Sequence, residues 1–232
     1  RLFRSTLIPA FSMGDADIER YLRTLQHLRP RIVFGYPSAI ALIARRAQDT
    51  GIDLEGLGVN VIFTTAEQLY PHQRTLIEAV FGARVANGYG ARDAGFIAHE
   101  CPAGGMHLTA EDIIVECVDD DGRPVPSGEP GEIVVTHLRN TGYPLVRYRT
   151  GDLGKISAST CPCGRSLPLL EEISGRTTDF VQKADGTRVH ALALIYILRD
   201  LPAVREFKII QKTRDRTAVL LDAVAPSSDF ES

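Results

Sequence analysis

The first ninety residues alternate between two hydrophobic periods, and that alternation restricts the fold more than any other feature. Ile18, Leu22, Leu25 and Leu28 recur at helical spacing behind a Ser12/Asp15 start signal. Pro30 stops the run, because proline lacks an N–H and its ring clashes with the preceding turn. Ile32-Val33-Phe34 reads as a short strand, and Pro37-Ser38 opens a second helix carrying Ile40, Ile43, Ala44 and Ala47, closed by Gly51. Val59 to Phe63 reads as a strand, Pro71 to Phe81 as a helix ended by Gly82, and Arg84 to Asn87 as a strand. Strands alternating with helices of this length predict βαβ units and a mostly parallel, buried sheet. Ligands of such sheets bind beyond the carboxyl ends of the strands. Here those ends are Gly35-Tyr36-Pro37, Thr64-Thr65-Ala66-Glu67 and Gly88-Tyr89-Gly90.

After residue 105 the period becomes two. Ile113, Val115 and Cys117 alternate with other residues, and Asp119-Asp120-Asp121-Gly122 is a hairpin turn. Glu132 to His137, Leu145 to Tyr148 and Leu153 to Ile156 read as further short strands. From Gly175 a third pattern begins: a strand to Lys183, the turn Ala184-Asp185-Gly186, a helix over 191–200, and strands at 207–211 and 218–222. The predicted fold class is α/β. A parallel βαβ layer (1–110) is followed by an antiparallel, barrel-like subdomain (111–174) and a small α+β C-terminal domain (175–232).

With 44% hydrophobic and 24% charged residues, the chain has the composition of a globular protein. No run approaches the 18 or so apolar residues of a membrane span, and no signal-peptide pattern opens the chain. A net charge of −3 with scattered arginines argues against nucleic acid as a partner. Four cysteines are too few for a disulfide scaffold, which points to a reducing, cytoplasmic compartment. A homodimer is compatible with all of this. The lysines, 155, 183, 208 and 212, lie outside any Gly-x-x-x-x-Gly-Lys-Ser/Thr pattern, and neither Gly-x-Ser-x-Gly nor His-Glu-x-x-His occurs.

Three spaced segments remain: Gly88-Tyr89-Gly90-Ala91-Arg92-Asp93, Tyr148-Arg149-Thr150-Gly151-Asp152 and Gly175-Arg176-Thr177-Thr178-Asp179. In this order they resemble the core motifs of the adenylate-forming (AMP-binding) ligase superfamily. Glu100-Cys101-Pro102, Gly105-Met106-His107, Cys161-Pro162-Cys163-Gly164 and Phe207 to Gln211 are similar to the phenylacetate–coenzyme A ligase branch, with its CapK and coenzyme F390 synthetase relatives. The resemblance implies an enzyme that uses ATP and Mg²⁺ to activate a carboxylic acid, for which an aryl acetate is one candidate, as acyl-AMP. The acyl group then passes to coenzyme A.

The resemblance also implies site residues. Ala66 and Glu67 fall in the adenine-contacting loop, and Tyr89 and Gly90 in the adenine-stacking segment. Asp152 takes the ribose hydroxyls, and Arg176 meets the phosphate or ribose with its fork of donors. Asp93 occupies the position of the family's Mg²⁺-holding Glu, one methylene shorter. Thr178 replaces a hinge Asp. Each residue has a plainer reading beside this one: Tyr89 as a packed side chain, and Arg147, Arg149 and Asp152 as ion pairs on a sheet rim. The family's phosphate loop and late catalytic lysine have no counterpart in these 232 residues, so the chain is expected to be a fragment inactive by itself.

The cysteines pose a separate question. Cys161-Pro162-Cys163 is a tight knuckle that can aim two thiolates at one point, and Cys101 and His107 supply two more ligands from a second segment. Cys₃His is a standard structural zinc set. His99 is the competing nitrogen ligand, free surface thiols are the alternative for Cys161 and Cys163, and Cys117 reads as core. A non-catalytic zinc-stapled interaction or regulatory domain derived from a ligase is the second functional hypothesis.

Overall fold

The computed structural model describes residues 5–10, 13–176, 180–182, 188–190, 198, 204–213 and 216–223. The helices are α1 (Asp15–Leu28), α2 (Pro37–Thr50) and α3 (Pro71–Phe81). The first strands are β1 (Ile32–Gly35), β2 (Val61–Thr64), β3 (Arg84–Ala91), β4 (Gly95–Glu100) and β5 (Met106–Leu108). They are followed by β6 (Ile113–Val118), β7 (Pro130–His137), β8 (Tyr148–Ile156) and β9 (Leu169–Arg176). Beyond these come β10 (Phe180–Gln182), β11 (Arg188–His190), β12 (Val204–Thr213) and β13 (Arg216–Ala223). Thr178, the Ala184-Asp185-Gly186 turn and, apart from Leu198, the helix expected over 191–200 lie outside the described residues.

The helix signals act as the periodicity implies. Gly14 caps α1, and the chain leaves α1 through Arg29 in a left-handed conformation just before Pro30. Gly51 and Gly82 end α2 and α3 at φ 67° and 60°, where glycine carries no Cβ penalty. The apolar stripes of the helices meet β2 and β3, and Leu22, Ala44, Ile62, Ile77 and Phe81 are fully buried in one cluster. Each such large side chain contributes about 1.5–3 kcal/mol by leaving water.

Nine strands form one sheet in the order β1-β2-β3-β4-β5-β9-β8-β7-β6. The parallel ladder joins β1 to β2 and Val61–Thr64 of β2 to Arg84–Asn87 of β3. The antiparallel part starts on the same strand, with Gly88–Ala91 pairing β4. A second cluster, including Ile97, Ile113, Ile133 and Val135, fills the antiparallel part. The fold class is therefore the expected α/β arrangement of a parallel layer followed by antiparallel strands. By contacts the chain divides into two units, 1–150 with 154–173, and 151–153 with 174–232. The second contains the two-stranded sheets β10-β11 and β12-β13.

Three strands escaped the sequence reading. β4, β5 and β9 are short or interrupted by Gly, His and Glu, so neither period stands out. The Thr150-Gly151-Asp152 segment, expected as a turn between two strands, lies inside the continuous β8, with Gly151 at φ 77° absorbing the irregularity.

The junction on β3 is held by side chains. Before Gly88, no strand among the described residues lies beside the edge of β3 away from β2. Val85 N–H donates to Glu78 Oε1 at 2.9 Å, and Val85 C=O accepts from Arg74 at 2.8 Å. Asn87 N–H donates to Glu100 Oε2 at 2.8 Å, and that oxygen also takes Arg74 at 2.7 Å. Glu100→Ala is expected to cost about 1–3 kcal/mol of unfolding free energy, since it strands the Asn87 backbone donor and takes from Arg74 its nearer carboxylate. Arg74→Met should cost a similar amount, and the double variant clearly less than the sum, as for residues of one network. Urea unfolding of the four proteins checks both statements.

Candidate functional site

The carboxyl ends of the parallel strands carry a tight loop. Thr65 N–H donates to Gly35 C=O at 3.2 Å, tying the end of β2 to that of β1. Ala66 follows at φ 69°, a left-handed conformation that costs a non-glycine residue about 1–3 kcal/mol and persists only where its surroundings enforce it. Glu67 Oε2 accepts from Ser38 N–H at 3.3 Å, in the first turn of α2, where unpaired N–H groups and the helix dipole favour a carboxylate. Glu67 thus has a structural task in addition to the one its motif implies. At the end of β2, the wholly buried Thr64 donates to Asn87 Oδ1 at 3.3 Å.

The next strand end is a hairpin. β3 and β4 are joined through residues 92–94, with a register shift between Tyr89 and Gly90. Gly90 must be glycine: a Cβ there would lie 2.5 Å from the Gly95 carbonyl oxygen, which is backbone and cannot swing away. Tyr89 is only 9% exposed and packs with the antiparallel cluster, and its hydroxyl lies 3.5 Å from Thr150 Oγ1. Asp93 is exposed in the hairpin turn and accepts from the Tyr148 hydroxyl at 3.3 Å. Two motifs more than fifty residues apart thus meet, Tyr148 with Asp93 and Thr150 with Tyr89. The motif gives Tyr148 and Thr150 no role of their own. Their spacing of two on a strand, which puts both side chains on one face, was the available signal.

The arginines of this segment take the ion-pair role. Arg147, at φ 49°, reaches Glu116 through Nε at 3.1 Å and Nη2 at 3.3 Å, and Arg149 Nε reaches Glu132 at 2.7 Å. These exposed pairs fix local geometry and add little stability. Asp152 lies on β8 two residues beyond Thr150, and Arg176 is the last residue of β9.

A separate cluster sits where β4, β5 and the β8–β9 connection converge. The ligand atoms of Cys101, His107, Cys161 and Cys163 all lie within 4.8 Å of one another. Cys101 and Cys161 approach to 3.6 Å through sulfur, and Cys163 Sγ lies 3.2 Å from His107 Nε2. His107 Nδ1 faces Leu167 C=O at 3.3 Å. His107 is 1% exposed, Cys101 and Cys161 are buried, and Cys163 is half-buried. The Arg165 backbone N–H pulls the Cys163 thiol down to about 6. For Cys101, burial pushes upward, but the Ala103 and Gly105 backbone groups and its cluster neighbours hold the thiol below its ordinary value. His99, the Cα partner of His107 across the β4–β5 ladder, is exposed and outside the cluster. Cys117 is core as expected, 3.5 Å from Gly154 C=O, and burial pushes its thiol up.

Residues 4–140, more than half of the chain, match the family described as AMP-binding enzyme. This chain belongs to that family. It is 29% identical over 204 residues to phenylacetate–coenzyme A ligase of Thermus thermophilus, covering 86% of this chain and 45% of that protein. It is 26% identical over 224 residues to Protein CapK of Staphylococcus aureus, covering 93% and 47%. The chain thus spans a little under half the length of these relatives. Among solved structures it shares the fold of 2-hydroxyisobutyryl-CoA ligase in its postadenylation state with an acyl-AMP: TM-score 0.74, 24% identity, 90% of this chain and 46% of that one. The anthranilate CoA ligase AuaEII in complex with anthranoyl-AMP gives a TM-score of 0.64 at 18% identity, over 91% of this chain and 43% of that one. Among the described residues, no helix is long and apolar enough to cross a membrane.

In this AMP-binding enzyme chain, Gly90→Ala is expected to destabilise by about 1–3 kcal/mol, because the hairpin backbone must open to admit the methyl group. Thermal unfolding should register it, with the Gly142→Ala control, where a Cβ would meet nothing within 4 Å, close to the parent.

Proposed function

We propose that the chain is the later part of an ATP-dependent acid–CoA ligase. Residues 1–110 would be the second half of the nucleotide-binding α/β subdomain, 111–174 the barrel-like subdomain and 175–232 the start of a mobile C-terminal domain. A carboxylate is a poor electrophile. Attack of its oxygen on the α-phosphorus of ATP forms a P–O bond and expels pyrophosphate. The thiol of coenzyme A then attacks the acyl carbon of the mixed anhydride and AMP leaves.

In this reading, Ala66 and Glu67 border the adenine, and their support is the strained loop tied to β1 and α2. Asp152 accepts hydrogen bonds from the ribose hydroxyls, and Arg176 donates to the ribose or phosphate. Gly90 lets the backbone turn closely at the base. Tyr89, being mostly buried, contributes as packing behind the adenine site more than as an open platform. Asp93, exposed and oriented by the Tyr148 hydroxyl, fits Mg²⁺ as that ion is usually held, by one or two carboxylates together with substrate phosphates. Mg²⁺ would offset phosphate charge there. The observation that carries the reading is the meeting of the 88–93 and 148–152 motifs through Tyr148–Asp93 and Tyr89–Thr150. The acid is a small carboxylic acid, with aryl acetates first to be tried, and the acceptor is coenzyme A.

Asp152→Ala tests the reading. Each hydrogen bond to a charged acceptor contributes about 1.5–3 kcal/mol, so losing two should weaken AMP binding at least about 100-fold in calorimetry of the intact ligase. The melting temperature should barely move. Unchanged AMP affinity would remove Asp152 from the ribose site. If the intact protein binds no nucleotide at all, the non-catalytic, zinc-stapled domain becomes the better account. Pyrophosphate exchange by the 232 residues alone is expected at background, since no glycine-rich phosphate loop lies within them.

A further inference from the structure

Four potential metal ligands from three places in the antiparallel sheet converge on one point, and the nucleotide chemistry above uses none of them. Cys101 immediately follows β4, His107 is the middle residue of β5, and Cys161 and Cys163 lie on the β8–β9 connection. Cys101 and Cys161 are 60 residues apart in sequence, so local chain geometry does not explain their meeting.

The two cysteine segments are built alike. Cys101-Pro102-Ala103-Gly104 and Cys161-Pro162-Cys163-Gly164 share the pattern Cys-Pro-x-Gly. In each, the glycine N–H donates back to the cysteine carbonyl, at 2.8 Å in the first and 3.3 Å in the second. In each, the glycine is left-handed, at φ 86° and 82°. Proline presets the turn and glycine completes it, so both knuckles hold their sulfurs with little freedom left to lose.

We propose that Cys101, His107, Cys161 and Cys163 hold one structural zinc ion through three thiolates and His107 Nε2, tying the β4–β5 hairpin to the β8–β9 connection. Zn–S bonds of about 2.3 Å in a tetrahedron place neighbouring sulfurs about 3.8 Å apart. The 3.6 Å between Cys101 and Cys161, and the 4.8 Å limit on the whole set, match one ion and leave no room for a multinuclear cluster. Four protein ligands complete the tetrahedron, so the site staples and does not activate water.

The choice of imidazole nitrogen follows from the surroundings. Leu167 C=O stands 3.3 Å from Nδ1 and can only accept, so Nδ1 keeps its proton and Nε2 carries the lone pair toward Cys163. Gly105 shapes the site too: a Cβ there would lie 2.7 Å from Cys161 Sγ. The bare backbone at this position is what lets that thiolate enter the cluster.

Protein purified without added metal and analysed by mass spectrometry should contain one zinc per chain. Replacing zinc by cobalt should give the intense visible absorption of a tetrahedral ion with a thiolate charge-transfer band. Gly105→Ala, which keeps all four ligands, should weaken zinc at least tenfold in a chelator competition. Cys163→Ser should lower both metal content and melting temperature. In ¹⁵N-labelled protein, His107 should carry its proton on Nδ1. Protein without metal whose thiols alkylate in the native state, a Cys101–Cys161 disulfide, iron in place of zinc, or retention of zinc in His107→Gln would each overturn the proposal. The metal-content and cobalt measurements use the unaltered chain, so a variant that fails to fold leaves the test intact. None of these readouts depends on nucleotide binding, so the ligase reading and the zinc site stand or fall separately.

Discussion

Every backbone N–H and C=O buried in a sheet needs a partner, and on β3 this requirement governs the layout. The strand serves two ladders in sequence, parallel to β2 over Arg84–Asn87 and antiparallel to β4 from Gly88 onward. Before β4 begins, the second edge of β3 would be unsatisfied. Arg74 and Glu78 from α3 and Glu100 from the end of β4 stand in for the absent strand. The carboxylate that closes this network is adjacent in sequence to Cys101. One short stretch therefore satisfies the open edge of β3, ends the first antiparallel hairpin and begins the Cys–His cluster.

The junction also explains why the hairpin motif is rich in glycine. The chain must change from one pairing mode to another and reverse within a few residues. Gly90 sits against the Gly95 carbonyl at a separation no side chain permits. A residue type that resembles a nucleotide-binding signature is thus demanded first by the strand crossing. The same hairpin delivers Asp93 to the surface, where Tyr148 can reach it.

Polar interactions in this molecule fall into two kinds. Arg147 and Arg149 hold Glu116 and Glu132 with guanidinium groups about half exposed to water, where ion pairs contribute little. The half-buried Arg74–Glu100 pair and the Cys–His cluster lie where unpaired groups are costly, and each is held by several partners at once. Removing one member therefore affects more than one contact.

Much of this could be read from the residues alone. The 3.6-residue stripes of α1, α2 and α3, with Pro30, Gly51 and Gly82 as stops, are local signals, because helix hydrogen bonds close within four residues. The family resemblance and the four metal-ligand candidates were legible for the same reason: each is a short pattern of unusual residue types. The strands β4, β5 and β9 were not legible, since their sequences are short or lack a clean period of two, and β5 meets β9 only across a long stretch of chain. The sequence favoured His107 as the nitrogen ligand, with His99 as its competitor. They are Cα partners across one ladder, and only the packed structure, which buries His107 beside Leu167 C=O and leaves His99 exposed, separates them. The sequence determined which local elements form and which chemical groups are available. Tertiary structure decided which of those groups meet, because that depends on long-range register, and register is set by pairing every buried backbone group at once.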